Sequence, residues 1–322
     1  VPYRTARRIG RRLAEIGLTL LGVAVLVFVT LRVLPGDQIT ASLGVAAGDL
    51  SPGQLAALKA YYGVDEPLLS QFLGWLGGLF QGNLGYVVNT GQSVRDMTLS
   101  ALPITIELAI LSTLIGLVIG VPLALMSASR PNGARDAVAQ TIGLSALAIP
   151  SFLLGSLLLA YVSRVFHYNP NSLDFARLTE NPWLNLQQML FPALVLGFGI
   201  AAPIMRTARS SLLDVQSQDF VRTAHGKGVS PGRIRTRHVL RAALIPIVTM
   251  TGIQFGYLLG GAIVVEQIFA IPGLGRQVLL GIQQKEYAVV QSTVLVIAFL
   301  FVLVNLATDQ VYRIVDPRVR AT

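Results

Sequence analysis

Cysteine is absent from this 322-residue chain, which removes disulfides, thiolate metal ligands, iron–sulfur clusters and cysteine nucleophiles together. Charge is scarce as well: Asp, Glu, Lys and Arg make up 13% of the residues, against roughly 25% in an ordinary soluble chain. Histidine occurs at His167, His225 and His238 only, with no HExxH or other metal spacing, so zinc proteolysis within a membrane finds no support. No GxxxxGK(S/T) loop is present to cradle phosphates, and no GxSxG elbow to present a serine. The run Gly197-Phe198-Gly199-Ile200-Ala201-Ala202 has dinucleotide-fingerprint spacing, but it lies inside an apolar stretch. There glycines serve close helix contact. No covalent chemistry is expected of this polypeptide.

What remains is apolar and basic. Hydrophobic residues make up 53% of the chain, and 25 Lys+Arg face 16 Asp+Glu for a net charge of +9; the mean hydropathy is +0.63. Disorder, collagen and coiled coil do not combine such apolarity with so little charge. Nucleic acid is not the expected partner, because Tyr, Phe and Trp are not interleaved with the arginines. About 20 apolar residues cross a bilayer as a helix, and runs of that kind recur six times, at about 13–34, 104–126, 138–162, 189–204, 244–269 and 289–311. The first follows a basic start, as a signal peptide does, but signal h-regions hold only about 7–15 apolar residues. It is expected to stay as an anchor. The fold class is all-α, with six transmembrane helices.

Lys and Arg accumulate on the cytoplasmic side of membrane proteins. With the N-terminus inside, the inner segments 1–12, 127–137, 205–243 and 312–322 hold 18 of the 25. Both termini are therefore expected in the cytoplasm. Residues 35–100 form a small external cap, with a short helix at 52–62 and turns at Gly77-Gly78 and Gly82-Asn83-Leu84-Gly85. No internal repeat is visible, so the inverted repeats of many secondary transporters find no support.

The basic segment 205–243 is the most informative stretch. A short helix is expected from Gln218 to Lys227, stopped by Gly228 with Pro231 beyond. Phe220, Val221 and Ala224 give it a small apolar face, and Arg222 and Lys227 a cationic flank. Such a helix suits docking into another protein's groove. A basic loop lying on anionic headgroups fits the same residues, and on physics alone the two readings stand level.

The run Asp219-Phe220-Val221-Arg222-Thr223-Ala224-His225-Gly226-Lys227-Gly228, followed by Arg237-His238-Val239-Leu240-Arg241-Ala242-Ala243-Leu244-Ile245-Pro246, resembles the EAA loop of ABC-importer permeases. Arg222, Thr223 and Ala224 hold the Glu-Ala-Ala places and Gly228 falls in register. His238 and Leu240 hold the later Ile and Leu places, and Arg241 stands where Pro is usual. Arg-Thr-Ala and the later Leu-Ile-Pro are similar to the oligopeptide/dipeptide branch. Residues 27–37, 102–108 and 264–276 resemble that branch at the end of its first span, the start of its second and the turn after its fifth.

The resemblance implies a type I ABC-importer permease fold and a non-catalytic translocation subunit. It further implies a second homologous permease, two cytoplasmic ATPase subunits that bind ATP and Mg, and an external binding protein that delivers a peptide. The coupling residues would be Asp219, Phe220, Val221, Arg222, Thr223, Ala224, Lys227 and Gly228. The same fold serving glutathione or a nickel chelate is the first alternative. A channel or secondary transporter would place paired ionisable groups at mid-membrane, and here they lie near span ends. Within the membrane, Gly252, Gly256 and Gly260 have small-xxx-small spacing and are expected to pack on a partner helix. Gln254 and Tyr257 are candidates for the pathway wall or for an interhelical hydrogen bond. Glu107 and Glu266, near outer span ends, are candidates for a gate. Asp309 and Arg313, four apart, fit an ion pair. Pro150 and Pro203 should kink or end their helices.

Overall fold

The structure, a computed structural model, describes residues 2–33, 38–167 and 175–315. Among them run α1 (Pro2–Val33), α2 (Gln38–Leu43), a 3-10 turn (Gly44–Asp49), α3 (Pro52–Tyr61), α4 (Leu68–Phe80), α5 (Val94–Ser129), α6 (Ala134–Ala148) and α7 (Ser151–Phe166). Then come α8 (Pro182–Gln216), α9 (Asp219–Gly226), α10 (Leu244–Gly261), α11 (Ile263–Ile268), α12 (Leu274–Gln283) and α13 (Tyr287–Val315). Between α9 and α10 lies a helical connector, Pro231–Arg233, a π turn at Ile234–Val239, and Leu240–Ala242. Five described helices are long and apolar enough to cross a bilayer, and a sixth crossing exists if α6 and α7 make one span bent by 95°.

That bend is where the expected run 138–162 breaks. Pro150 lacks an N–H to continue the ladder of α6, and the chain restarts as α7 at Ser151. Pro192 and Pro203, by contrast, lie inside α8 without ending it. The fourth span is far longer than 189–204: α8 covers 35 residues, or about 52 Å at 1.5 Å per residue. Asn185, Gln188 and Ser211 are polar yet buried, so hydropathy falls off well before the helix does. The fifth run, 244–269, divides at Ala262 into α10 and α11. Of the first run, Leu34 lies outside the described residues.

The chain divides into two compact units. The first comprises residues 1–104 and 272–302. In it Phe28 of α1 meets Phe72 of α4 edge-on at 5.1 Å and stacks on Trp75 at 6.3 Å. Arg32 lies 3.5 Å over the Phe28 ring and donates to Gln71 and Gln291 at 3.1 and 3.4 Å. Ser51 caps α3 reciprocally with Gln54, a capping box that satisfies two otherwise orphaned donors. The buried Glu286 carboxylate accepts from Ser42 Oγ (2.8 Å), the Val88 N–H (2.9 Å), the Asn89 N–H (3.2 Å) and Asn89 Nδ2 (3.1 Å), which gathers three separate segments.

The second unit, residues 105–271 and 303–322, carries the candidate site. Its helices cross closely: a Cβ on Gly120 of α5 would come 2.8 Å from the Ala201 carbonyl of α8, and one on Gly197 2.8 Å from the Ser112 carbonyl. Gly197, but not Gly199, therefore has the contact role expected of that glycine pair. At one end of the unit Ala124 and Ala128 of α5, Ala139 of α6, and Met205, Ala208, Leu212 and Val215 of α8 form a buried apolar cluster with Val221, Ile234, Val239, Ala243 and Ile247.

Candidate functional site

A helix of about 52 Å exceeds the roughly 30 Å hydrocarbon layer, so α8 is long enough to cross a membrane and to extend past it. Ser217 Oγ donates to the Asp214 carbonyl at 2.7 Å, and Gln218 is extended. The Gln218 carbonyl then accepts from the Val221 N–H at 3.0 Å. Asp219 stands in the first turn of α9, where the free N–H groups favour negative charge. The C-terminus closes on two bonds, Gly228 N–H to the His225 carbonyl at 2.9 Å and Val229 N–H to the Ala224 carbonyl at 3.2 Å. This is a Schellman closure. It requires the left-handed backbone that Gly228 adopts, with φ +75°.

The three apolar residues grouped on α9 from the sequence do not share one exposed face. Val221 is 3% exposed and belongs to the buried cluster, and Ala224 and Val229 pack against that cluster. Phe220 is 43% exposed. One helical position, about 100° of rotation, separates the two environments. Val221 and Ala224 therefore seat α9 on its own chain, and burying a valine contributes about 1.5–3 kcal/mol. Phe220, Arg222, Thr223 and Lys227 are left to solvent. The Arg222–Asp219 pair, 3.4 Å apart and highly exposed, adds little.

Beside the cluster sits an ion pair that the sequence pattern did not single out. Asp136, 1% exposed at the start of α6, receives Arg209 Nη2 of α8 at 2.8 Å and Nε at 3.1 Å. Ser127 Oγ of α5 donates to it at 2.5 Å and accepts from Arg209 Nε at 2.7 Å. The Asn132 N–H and Gln140 Nε2 complete its shell at 2.9 and 2.8 Å. Asp136 and Arg209 lie 73 residues apart, so no local spacing announces the pair. The available signal was an acidic residue in the first turn of a helix at the edge of a span.

The remaining candidates have separate hydrogen-bond partners or exposures. Glu266, in α11, is fully buried and accepts from Thr105 Oγ1 at 2.9 Å, whereas Glu107, in α5, accepts from Asn185 Nδ2 at 3.3 Å. Gln254 is half-buried and Tyr257 is 71% exposed. The glycine stripe of α10 is not one packing face: Gly252 is half-buried, Gly256 buried and Gly260 exposed. A Cβ on Gly252 would collide with Thr308 of α13, so Gly252 makes a close contact with a neighbouring helix of the same chain. The side chains of Asp309 and Arg313 lie outside the described residues.

Residues 120–321 match the family described as binding-protein-dependent transport system inner membrane component, and residues 6–109 match the N-terminal model of such membrane components. The glutathione transport system permease protein GsiC of Pectobacterium atrosepticum is 36% identical over 96% of this chain and 97% of its own length. The protein of the same name from Escherichia coli is 35% identical over the same shares. A Brucella abortus protein, provisionally named a peptide transport system permease protein, is 34% identical over 96% of this chain and 98% of its own. Among solved structures, the MetNI methionine ABC transporter in inward-facing conformations has a chain of similar fold. It matches at a TM-score of 0.55 and 20% identity, covering 68% of this chain and 96% of that one. The chain belongs to the family of inner membrane components of binding-protein-dependent transport systems.

Proposed function

We propose that this chain is a translocation subunit of an ATP-driven importer of peptides, coupled to its ATPase through α9. The observation that carries the coupling is the division of α9: Val221 is seated in the buried cluster while Phe220, Arg222, Thr223 and Lys227 are free to meet a partner. Both termini and the loop 205–243 lie in the cytoplasm in this reading, and residues 35–100 face outward. A second homologous permease completes the pathway, an external binding protein delivers cargo, and two cytoplasmic subunits bind ATP and Mg. Closure of the ATPases on ATP displaces α9. The cluster passes that displacement to α8, to the end of α5 and to α6, whose ends the Asp136–Arg209–Ser127 bonds hold together. The result is a two-state rearrangement biased by nucleotide.

Peptide cargo draws support from the Brucella relative's name. Glutathione, itself a tripeptide, is a second reading that the 36% identical relative favours; the ligand held by the cognate binding protein decides between them. Phe220→Asp tests the coupling. The variant is expected to insert normally, since exposed substitutions change stability within about 0.5 kcal/mol, while ATP-driven uptake in proteoliposomes falls to background. Uptake at the unsubstituted level would remove α9 from the coupling path.

A further inference from the structure

Between α9, the π turn and the connection from α5 to α6 lies a pocket of about 340 Å³. Its polar wall includes Arg130, Arg135, Arg235 and His225. Its base is Val221, Ile234 and Val239, all buried. Among the described residues no acidic side chain lines it. None of the three arginines has a carboxylate within ion-pair distance among the described residues. Among the described residues Arg235 Nε meets only the Pro231 carbonyl, at 3.4 Å. With His225 Nδ1–H donating to the Val221 carbonyl, 3.0 Å away, Nε2 can donate to an anion as the second N–H of the imidazolium.

Three guanidinium groups around one concave space repel each other unless an anion sits among them. Their planar forks suit the oxygens of a phosphate group. The pocket also lies at a membrane boundary: Ser129 on its wall is the last residue of α5, three beyond the apolar run 104–126. We infer that this pocket binds a phosphate group, carried either by an anionic phospholipid headgroup or by a soluble phosphate. The bound anion links Arg130 and Arg135 on one side to Arg235 and His225 on the other, and so fastens α9 and the π turn to the ends of α5 and α6. The inference stands apart from the coupling reading, since it needs only the charge and position of the pocket.

The full chain, purified with the subunits that accompany it, is placed in nanodiscs of phosphatidylcholine with phosphatidylglycerol, and retained lipid is weighed by native mass spectrometry. The unsubstituted chain is expected to retain phosphatidylglycerol selectively. A direct hydrogen bond between charged groups is worth about tenfold or more, so Arg130→Gln with Arg135→Gln should cut retention by about 100-fold. Arg237→Gln with Arg241→Gln removes equal charge from the same loop outside the pocket and should leave retention unchanged. All four arginines are exposed, and equal thermal midpoints of the two double variants verify intact folding. Displacement of the lipid by inorganic phosphate supports the site and assigns the soluble source, whereas resistance to it assigns the headgroup.

Equal loss in both double variants would overturn the pocket in favour of a diffuse basic surface. Absence of retention in the unsubstituted chain, with ATPase subunits lost only from the pocket variant, would overturn it in favour of a partner's carboxylate. ATPase co-purification is read in the same samples, so lipid bound without ATPase counts against the coupling reading alone.

Discussion

The two faces of α9 have opposite fates within a single helical turn. Val221 lies among residues of α5, α6, α8 and α10, and Phe220, its neighbour in sequence, projects from the chain. A helix seated by Val221 and Ala224 and open at Phe220 can receive a push without being dislodged. The difference teaches that an apolar residue in a short connecting helix is not by itself a docking contact. Its burial against its own chain decides whether it transmits force or receives it.

The strongest way to break this arrangement lies beneath the helix. Arg209→Ala leaves the buried Asp136 carboxylate without its counter-charge, and removing one member of a buried pair is far costlier than never having had it. Most of the folded, membrane-inserted protein should be lost, as read by detergent extraction and size-exclusion chromatography. Next comes Val221→Ala, which removes two methyl groups from a 3% exposed site. It should cost about 1–3 kcal/mol, and limited proteolysis should cut faster between residues 217 and 230, with the membrane helices intact. The smallest effect belongs to Gly228→Ala, where a side chain at φ +75° costs roughly 1–2 kcal/mol. The closure of α9 should loosen, seen as faster amide exchange at Val229, while uptake falls less than in Phe220→Asp.

Much of this was readable from sequence where the signal is local. The stop at Gly228 followed from a glycine after a short amphipathic run. The helix expected at 52–62 is α3, Pro52–Tyr61. The long-range features were not readable. Asp136 and Arg209 meet across 73 residues. The extent of α8 was hidden because Asn185 and Gln188 are buried by hydrogen bonds to residue 176, on the Ala176 carbonyl and N–H respectively, and not by apolarity. Gly77-Gly78, expected as a turn, lie inside helix α4, whose thirteen residues are too few to span a bilayer and so gave no long apolar run. Gly252 shows the limit of local spacing: it suggested close helix contact without naming the neighbour, which is Thr308 of α13.

The absence of cysteine makes the division of α9 directly measurable. Single variants Phe220→Cys and Val221→Cys are exposed to a membrane-impermeant maleimide in inverted membrane vesicles, with and without the ATPase subunits. Rapid labelling at residue 220 that the ATPases suppress is expected, with slow labelling at residue 221 in both states. Labelling at residue 220 that is indifferent to the ATPases would contradict the coupling through α9.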